Sequence, residues 1–169
     1  MLFRSANWTQ DVGGDGSIDT SGAPASIVLN GSDDYTSGLV NTDFSIAAPS
    51  AGTVSFKWDY ITSDSAPGYD HFGYLLNGSY TKLVDGGGST IQSGSTSFPV
   101  LAGDVFGFRQ NSEDSTTGRA ATTISSFNFG DPSTTVPGPL PLLGAGAAFG
   151  WSRRLRNRRR ASWLTPPQA

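Results

Sequence analysis

The hydrophobic positions of this chain alternate; they do not recur every three or four residues. The pattern is clearest over Thr53–Ile61, where Val54, Phe56, Trp58 and Tyr60 fall on one side and Ser55, Lys57 and Asp59 on the other. A period of two marks a β-strand with one buried and one wet face. Pro49-Ser50-Ala51-Gly52 ahead of it reads as a turn. His71–Leu76 and Ser79–Val84 flank Asn77-Gly78, a pair suited to a type I′ hairpin because both central residues need positive φ. Asp85–Ser89 ends the second of these strands. A short strand over Ser97–Leu101 turns at Ala102-Gly103-Asp104 into Val105–Gln110, with Phe106 and Phe108 on one face. After the polar stretch Asn111–Gly118, a last strand runs over Ala120–Phe129; Ile27–Leu29 and Leu39–Ile46 are shorter candidates. Seven or eight short strands with turn residues between them predict an all-β domain over residues 1–129, an antiparallel β-sandwich of jelly-roll type.

Composition agrees with this pattern. Twenty-two Gly, 10 Pro and 15% charged residues are poor material for long helices. Ten Phe, 5 Tyr and 4 Trp supply large buried areas for one core. The absence of Cys removes disulfides, thiolate nucleophiles and zinc–thiolate sites, and the single His71 argues against a multi-histidine metal centre.

Charge divides the chain in two. Residues 1–135 carry all 14 acidic residues and five basic ones, a net −9; residues 136–169 carry six Arg and no acid, a net +6. Such asymmetry marks the tail as a separate object. After the polar linker 130–135 come Val136-Pro137-Gly138-Pro139-Leu140-Pro141, an apolar run to Trp151, and Arg153, Arg154, Arg156, Arg158, Arg159 and Arg160. This is a proline-stiffened entry, an apolar segment of helical type and a cationic stop that would favour an anionic inner leaflet. Leu140 to Trp151 is 12 residues, short of the ~17–25 of a spanning helix, so a short anchor and a low-complexity basic tail both fit. An acidic body and the adjacent apolar run oppose a polyanion, so no nucleic-acid partner is expected. Met1–Ala6 lacks the apolar stretch of a signal peptide; export would place the true start upstream.

The string from Val136 to Arg160 resembles the PEP-CTERM sorting signal in its V-P-x-P-L-P form, common in cyanobacterial proteins. It reads Pro-Gly-Pro in place of Pro-Glu-Pro, and residues 161–169, a disordered tail by expectation, continue past the arginines. The resemblance implies export, tethering to the membrane through the C-terminal segment, and processing by an exosortase-type enzyme. Its destination would be the cell surface or extracellular matrix, with exopolysaccharide or a surface protein as partner.

The body is similar, more weakly, to CUB-type and related jelly-roll surface domains. The likeness rests on Phe56-Lys57-Trp58-Asp59-Tyr60, Asp70-His71-Phe72-Gly73-Tyr74 and Ser112-Glu113-Asp114-Ser115 with Gly118. It implies a calcium site at one end of the sandwich with Asp59, Asp70 and Asp114 as candidate ligands, and chemistry adds Asp64 in the same region. Ca2+ takes 6–8 oxygen ligands, which loop carboxylates and carbonyls supply. The competing account is that these are solvated turn aspartates, which turns recruit readily. Asp11–Asp19 does not fit the EF-hand register.

Catalytic signatures are sparse. His71 beside Asp70 has no nucleophile-elbow serine to serve, and the one Glu, Glu113, is a sequence neighbour of Asp114 and cannot face it across a substrate. Gly86-Gly87-Gly88-Ser89 lacks the Lys-Ser/Thr of a phosphate loop. Tyr35, Tyr69 and Tyr80 are candidates for a sugar-stacking surface, although aromatics at strand positions are more often core. The expectation is a non-enzymatic, exported structural or adhesive protein that binds glycan or a partner, with Ca2+ as its one candidate cofactor. The alternatives are a secreted carbohydrate-active enzyme on the same fold and a truncated reading frame of a larger surface protein.

Overall fold

The computed structural model describes residues 7–130. The linker beyond Gly130, the segment 136–160 expected to act in sorting, and residues 161–169 lie outside the described residues.

Ten strands form two antiparallel sheets. In chain order they are β1 (Thr9–Val12), β2 (Ser17–Asp19), β3 (Ser26–Asn30), β4 (Val40–Ala47), β5 (Gly52–Thr62), β6 (Phe72–Leu76), β7 (Ser79–Lys82), β8 (Ile91–Val100), β9 (Val105–Ser112) and β10 (Ala120–Gly130). One sheet runs β1-β4-β9-β6-β7 and the other β2-β3-β10-β5-β8. A 3-10 turn, Pro67–Tyr69, lies between β5 and β6. Among the described residues no helix is long and apolar enough to cross a membrane.

The alternation read from the sequence sets which side chains meet. Val54, Phe56, Trp58 and Tyr60 of β5 are buried, as are Phe44 of β4 and Phe106 and Phe108 of β9. The two sheets meet through these rings: Phe56 lies edge-on to Phe108 at 4.9 Å. Trp8, just ahead of β1, stacks on Phe44 at 4.5 Å and sits 5.9 Å from Phe108. Offset and edge-to-face pairs of this kind add about 0.5–1.5 kcal/mol each beyond the area they bury.

The Asn77-Gly78 hairpin forms as expected, with φ of 51° and 81°. Asn77 does more than turn: its amide donates to Asp104 at 2.9 Å and its carbonyl accepts from the Val105 amide at 3.0 Å. Three strands differ from expectation. β8 begins at Ile91, six residues before the predicted Ser97, because Gln92, Gly94 and Thr96 occupy its inward positions and give no apolar alternation. β1 and β2 fall in a stretch where the alternation predicts no strand, since none of their seven residues is fully buried. They extend the edges by pairing with β4 and β3.

Candidate functional site

The inward alternation of β5 does not stop at Tyr60. It continues to Thr62, and that of β9 continues through Phe108 to Gln110; β10 adds Thr122. These polar residues occupy buried register positions at one end of the sandwich, where they bond to one another and to the loop from β5 to β6. Thr122 donates to the Gln110 carbonyl oxygen at 2.8 Å. The Gln110 amide donates to the backbone carbonyls of Asp70 and His71 at 3.3 and 3.2 Å. The Tyr60 hydroxyl donates to the same Asp70 carbonyl at 2.8 Å. Burial, the main cause, raises the Tyr60 pKa well above the usual phenol range, so the phenol acts only as a neutral donor.

This network holds two carboxylates out of water. Asp70 is 1% exposed and Asp64 4%. The Thr62 hydroxyl joins them: it accepts from the Asp64 amide at 3.0 Å and donates to Asp70 Oδ2 at 3.0 Å. Asp64 Oδ1 accepts from the Ser65 amide and hydroxyl. The other oxygen of each residue, Asp64 Oδ2 and Asp70 Oδ1, is buried without a hydrogen-bond partner. Ser112 lies close enough to pull the Asp70 pKa down, but its hydroxyl donates to the Ser32 carbonyl at 3.0 Å. The Asp70 pKa is pushed up to about 6, first by burial and then by the negative charges of Asp64 and Asp114.

The structure therefore brings Asp64, Asp70 and Asp114 into one electrostatic neighbourhood. Asp114, half-buried on the β9–β10 loop, accepts from the Thr116 amide at 3.2 Å. Asp59 stands apart, exposed on the outer face of β5 opposite Ser93 of β8 and Thr123 of β10. Among the described residues no three His, Cys, Asp or Glu side chains are placed to hold a metal together. A cation here would be met by the two unpartnered carboxylate oxygens and by neutral oxygens. Those oxygens are hard donors, which suits Ca2+ better than a transition metal.

The β9–β10 loop seals this end because Gly118 has no side chain. Its φ is +153°, and a Cβ there would overlap the backbone of Ser63 and Asp64. Asp15, in the stretch that does not fit the EF-hand register, has protein partners instead. It accepts from the Asp33 amide at 2.7 Å and the Ser32 hydroxyl at 3.1 Å, and pairs with Arg119. The Asp33 donor is the main cause of its lowered pKa.

His71 makes no contact with Asp70 of the kind a catalytic dyad needs. Its partners are Lys82 at 3.1 Å and Glu113 at 3.4 Å. Burial first, and then the Lys82 charge, lower its pKa. The three candidate tyrosines separate. Tyr35 and Tyr69 are exposed at this loop end, whereas Tyr80 lies against Arg109, 5.4 Å from ring centre to guanidinium carbon, beside the Arg109–Asp43 ion pair. A shallow groove of about 330 Å3 on the outer face of β5 and β8 is lined by Ser55, Lys57, Ser95, Ser97 and Ser126. Sequence reasoning missed Thr62, Gln110 and Thr122. The available signal was a polar residue at an inward position of an otherwise apolar alternation.

No family model matches the chain, and no curated protein sequence matches it. Among solved structures, it is similar to the N-terminal cellulose-binding domain of a β-1,4-glucanase C from Cellulomonas fimi. The identity is 14%, covering 73% of this chain and 88% of that one, with a TM-score of 0.39. A likeness this distant does not carry that domain's ligand over to this chain.

Proposed function

We propose that this chain is a non-catalytic β-sandwich binding module, displayed at the cell surface or in the extracellular matrix, with a loop end ordered by Ca2+. One observation carries the proposal: Asp64 Oδ2 and Asp70 Oδ1, from the same loop, are each buried without a hydrogen-bond partner. An ionised carboxylate is acceptor-only, and leaving it buried and unpaired is costly. A divalent cation removes that cost. Asp64 and Asp70 would supply the charged ligands, with Ser112 or backbone carbonyls completing the set and Asp114 adding negative charge from the loop.

The same burial argues against catalysis by this pair. Neither carboxylate is open to a substrate, and acid–base work on a glycosidic bond needs both groups within reach of it. The strand order supports a jelly roll. Strands β3-β10-β5-β8 face β4-β9-β6-β7, the two-Greek-key arrangement of eight strands, and the likeness to CUB-type surface domains fits it. Delivery is assigned to the PEP-CTERM-like tail, with an exosortase-type enzyme acting near Pro137–Pro141. Intact-mass analysis of the mature protein would then show loss of Arg153–Arg160, and their retention overturns this part.

The deciding experiment is thermal unfolding of the full chain at pH 7 in excess chelator and again in Ca2+. A ligand held only by the folded state stabilises it by about 2.7 kcal/mol at 100 times its Kd. An upward Tm shift of several degrees is expected, absent in Asp70→Asn and Asp64→Asn. An identical Tm in Ca2+ and chelator removes the calcium site.

A further inference from the structure

Three residues with positive φ other than glycine lie on loops at the end of the sandwich that holds Asp64 and Asp70. Five occur in all among the described residues: Tyr35, Asn77, Ser115, Thr117 and Ser126. Asn77 is explained by its hairpin, and Ser126 falls where the β10–β5 register shifts. The other three stand on the β3–β4 and β9–β10 loops. For a bulky residue such as Tyr35, at φ 62°, the left-handed region is a real outlier. Strain of this kind persists where the surroundings over-determine it, and it concentrates at ligand-binding positions.

Tyr35 gains nothing in packing from its conformation. Its side chain is 67% exposed. What holds it is the backbone: its amide donates to the Ser115 carbonyl at 2.8 Å. The same loop grips a second exposed aromatic, Tyr69, 48% exposed, whose carbonyl accepts from the Glu113 amide at 2.8 Å. Glu113 and Ser115 are two residues apart, so their Cα atoms lie at most about 7 Å from each other. Asp114 lies between them. A third link, from the Ser115 hydroxyl to the Gly38 carbonyl at 2.6 Å, fixes the chain beside the exposed Leu39. The fold thus anchors two exposed tyrosines by backbone hydrogen bonds to the residues on either side of Asp114.

We propose that Tyr35 and Tyr69, with Asp114 of the loop that anchors both, form a binding platform for a neutral polysaccharide. An exposed tyrosine offers an apolar face to the C–H side of a pyranose and a hydroxyl to its polar rim. Carboxylates accept hydrogen bonds from sugar hydroxyls. The surroundings favour sugar over a protein partner. The loops that carry and hold these tyrosines are otherwise mostly polar, with Asp34, Ser37, Glu113, Asp114, Thr116 and Thr117, whereas the centre of a protein interface is depleted of charged residues. The sign of charge sets the class: Asp33, Asp34 and Asp114 would repel a uronate or sulfated chain, while Glu113 is paired with Lys82 at 3.7 Å.

The inference rests on the binding-module reading and not on the calcium ion. The full chain is mixed with insoluble cellulose, starch granules and curdlan, with alginate gel as the acidic comparison, in Ca2+ and in chelator. Depletion of the protein is then measured. Binding to a neutral polysaccharide is expected, weakened at least tenfold in Tyr69→Ala and in Tyr35→Gly. The glycine variant removes the ring yet suits the left-handed backbone, so its Tm should match or exceed that of the parent, separating lost binding from lost fold. Lys57→Ala, in the groove on the outer face of β5 and β8, should bind as the parent does. No depletion by any neutral polysaccharide, preference for alginate, or full binding by both tyrosine variants overturns the platform. A Tm unmoved by Ca2+ alongside tyrosine-dependent binding removes only the calcium site; a calcium-dependent Tm without glycan binding removes only the platform.

Discussion

At the scale of single residues, Asp70 makes the sharpest claim. Its folded pKa is about 6 against an ordinary 3.8, so between those values the folded state binds more protons than the unfolded one. In metal-free protein its contribution to stability is therefore present at low pH and is lost as pH rises through 6, by about 3 kcal/mol at most. His71, with its pKa lowered, works in the opposite sense, losing stability as pH falls below its unfolded value. The two overlap, and only a comparison isolates Asp70. In chelator, the difference in urea midpoint between Asp70→Asn and the parent should grow in favour of the variant from pH 4.5 to pH 7.5. A constant difference would show that Asp70 is not held in a desolvated pocket. Gly118 is the second residue-scale case. Gly118→Ala forces a side chain onto the backbone of Ser63 and Asp64. It should cost more than the ~1 kcal/mol typical of a point mutation and should erase any Ca2+-dependent Tm shift.

Elements depend on contacts that the hydrophobic pattern only partly encodes. The β6–β7 hairpin was legible because Asn77-Gly78 states its own backbone requirement. The bonds from Asn77 to Asp104 and Val105 were not, since they join residues 27 and 28 positions apart. Asn77→Gly keeps the turn and deletes both bonds. It should lower stability by about 1–3 kcal/mol, the range for two modest hydrogen bonds, readable as a shift in denaturant midpoint with unchanged slope. β8 shows where the pattern failed. Its inward positions Gln92 and Gly94 bury no apolar side chain of their own; Gly94 instead lies under the Trp58 indole, where a Cβ would meet the ring at 2.7 Å. A strand whose core face is lent by its neighbour carries no period of its own.

For the whole molecule, the core is a ring cluster spanning both sheets. Phe108 is fully buried and lies within 6.2 Å, centre to centre, of Trp8, Phe56 and Phe127. Phe108→Ala should cost about 3–5 kcal/mol, a large share of the 5–15 kcal/mol that holds most domains folded. Calorimetry would show a single transition at much lower temperature. A small loss would mean that the sheets are held chiefly by other contacts.

Local pattern decided the class of structure here. Alternation over Thr53–Ile61 and Val105–Gln110, turn residues between strands and an aromatic-rich composition require paired strands with one shared apolar layer. These are properties of neighbours in sequence, set by the two-residue period of the strand and the steric demands of turns. The fold alone decided which loops meet. Asp64 and Asp70 come from the β5–β6 loop and Asp114 from the β9–β10 loop, and Asp59, only five residues from Asp64, is carried to the outer face because an extended strand sends alternate side chains to opposite sides. Thr62 and Gln110 became the lock of that end only when the two sheets packed face to face, setting β9 of one against β5 and β10 of the other so that Thr122 reaches Gln110. Burial, unmet hydrogen bonds and the strain at Tyr35 arise from long-range packing, so no stretch of the sequence shows them by itself.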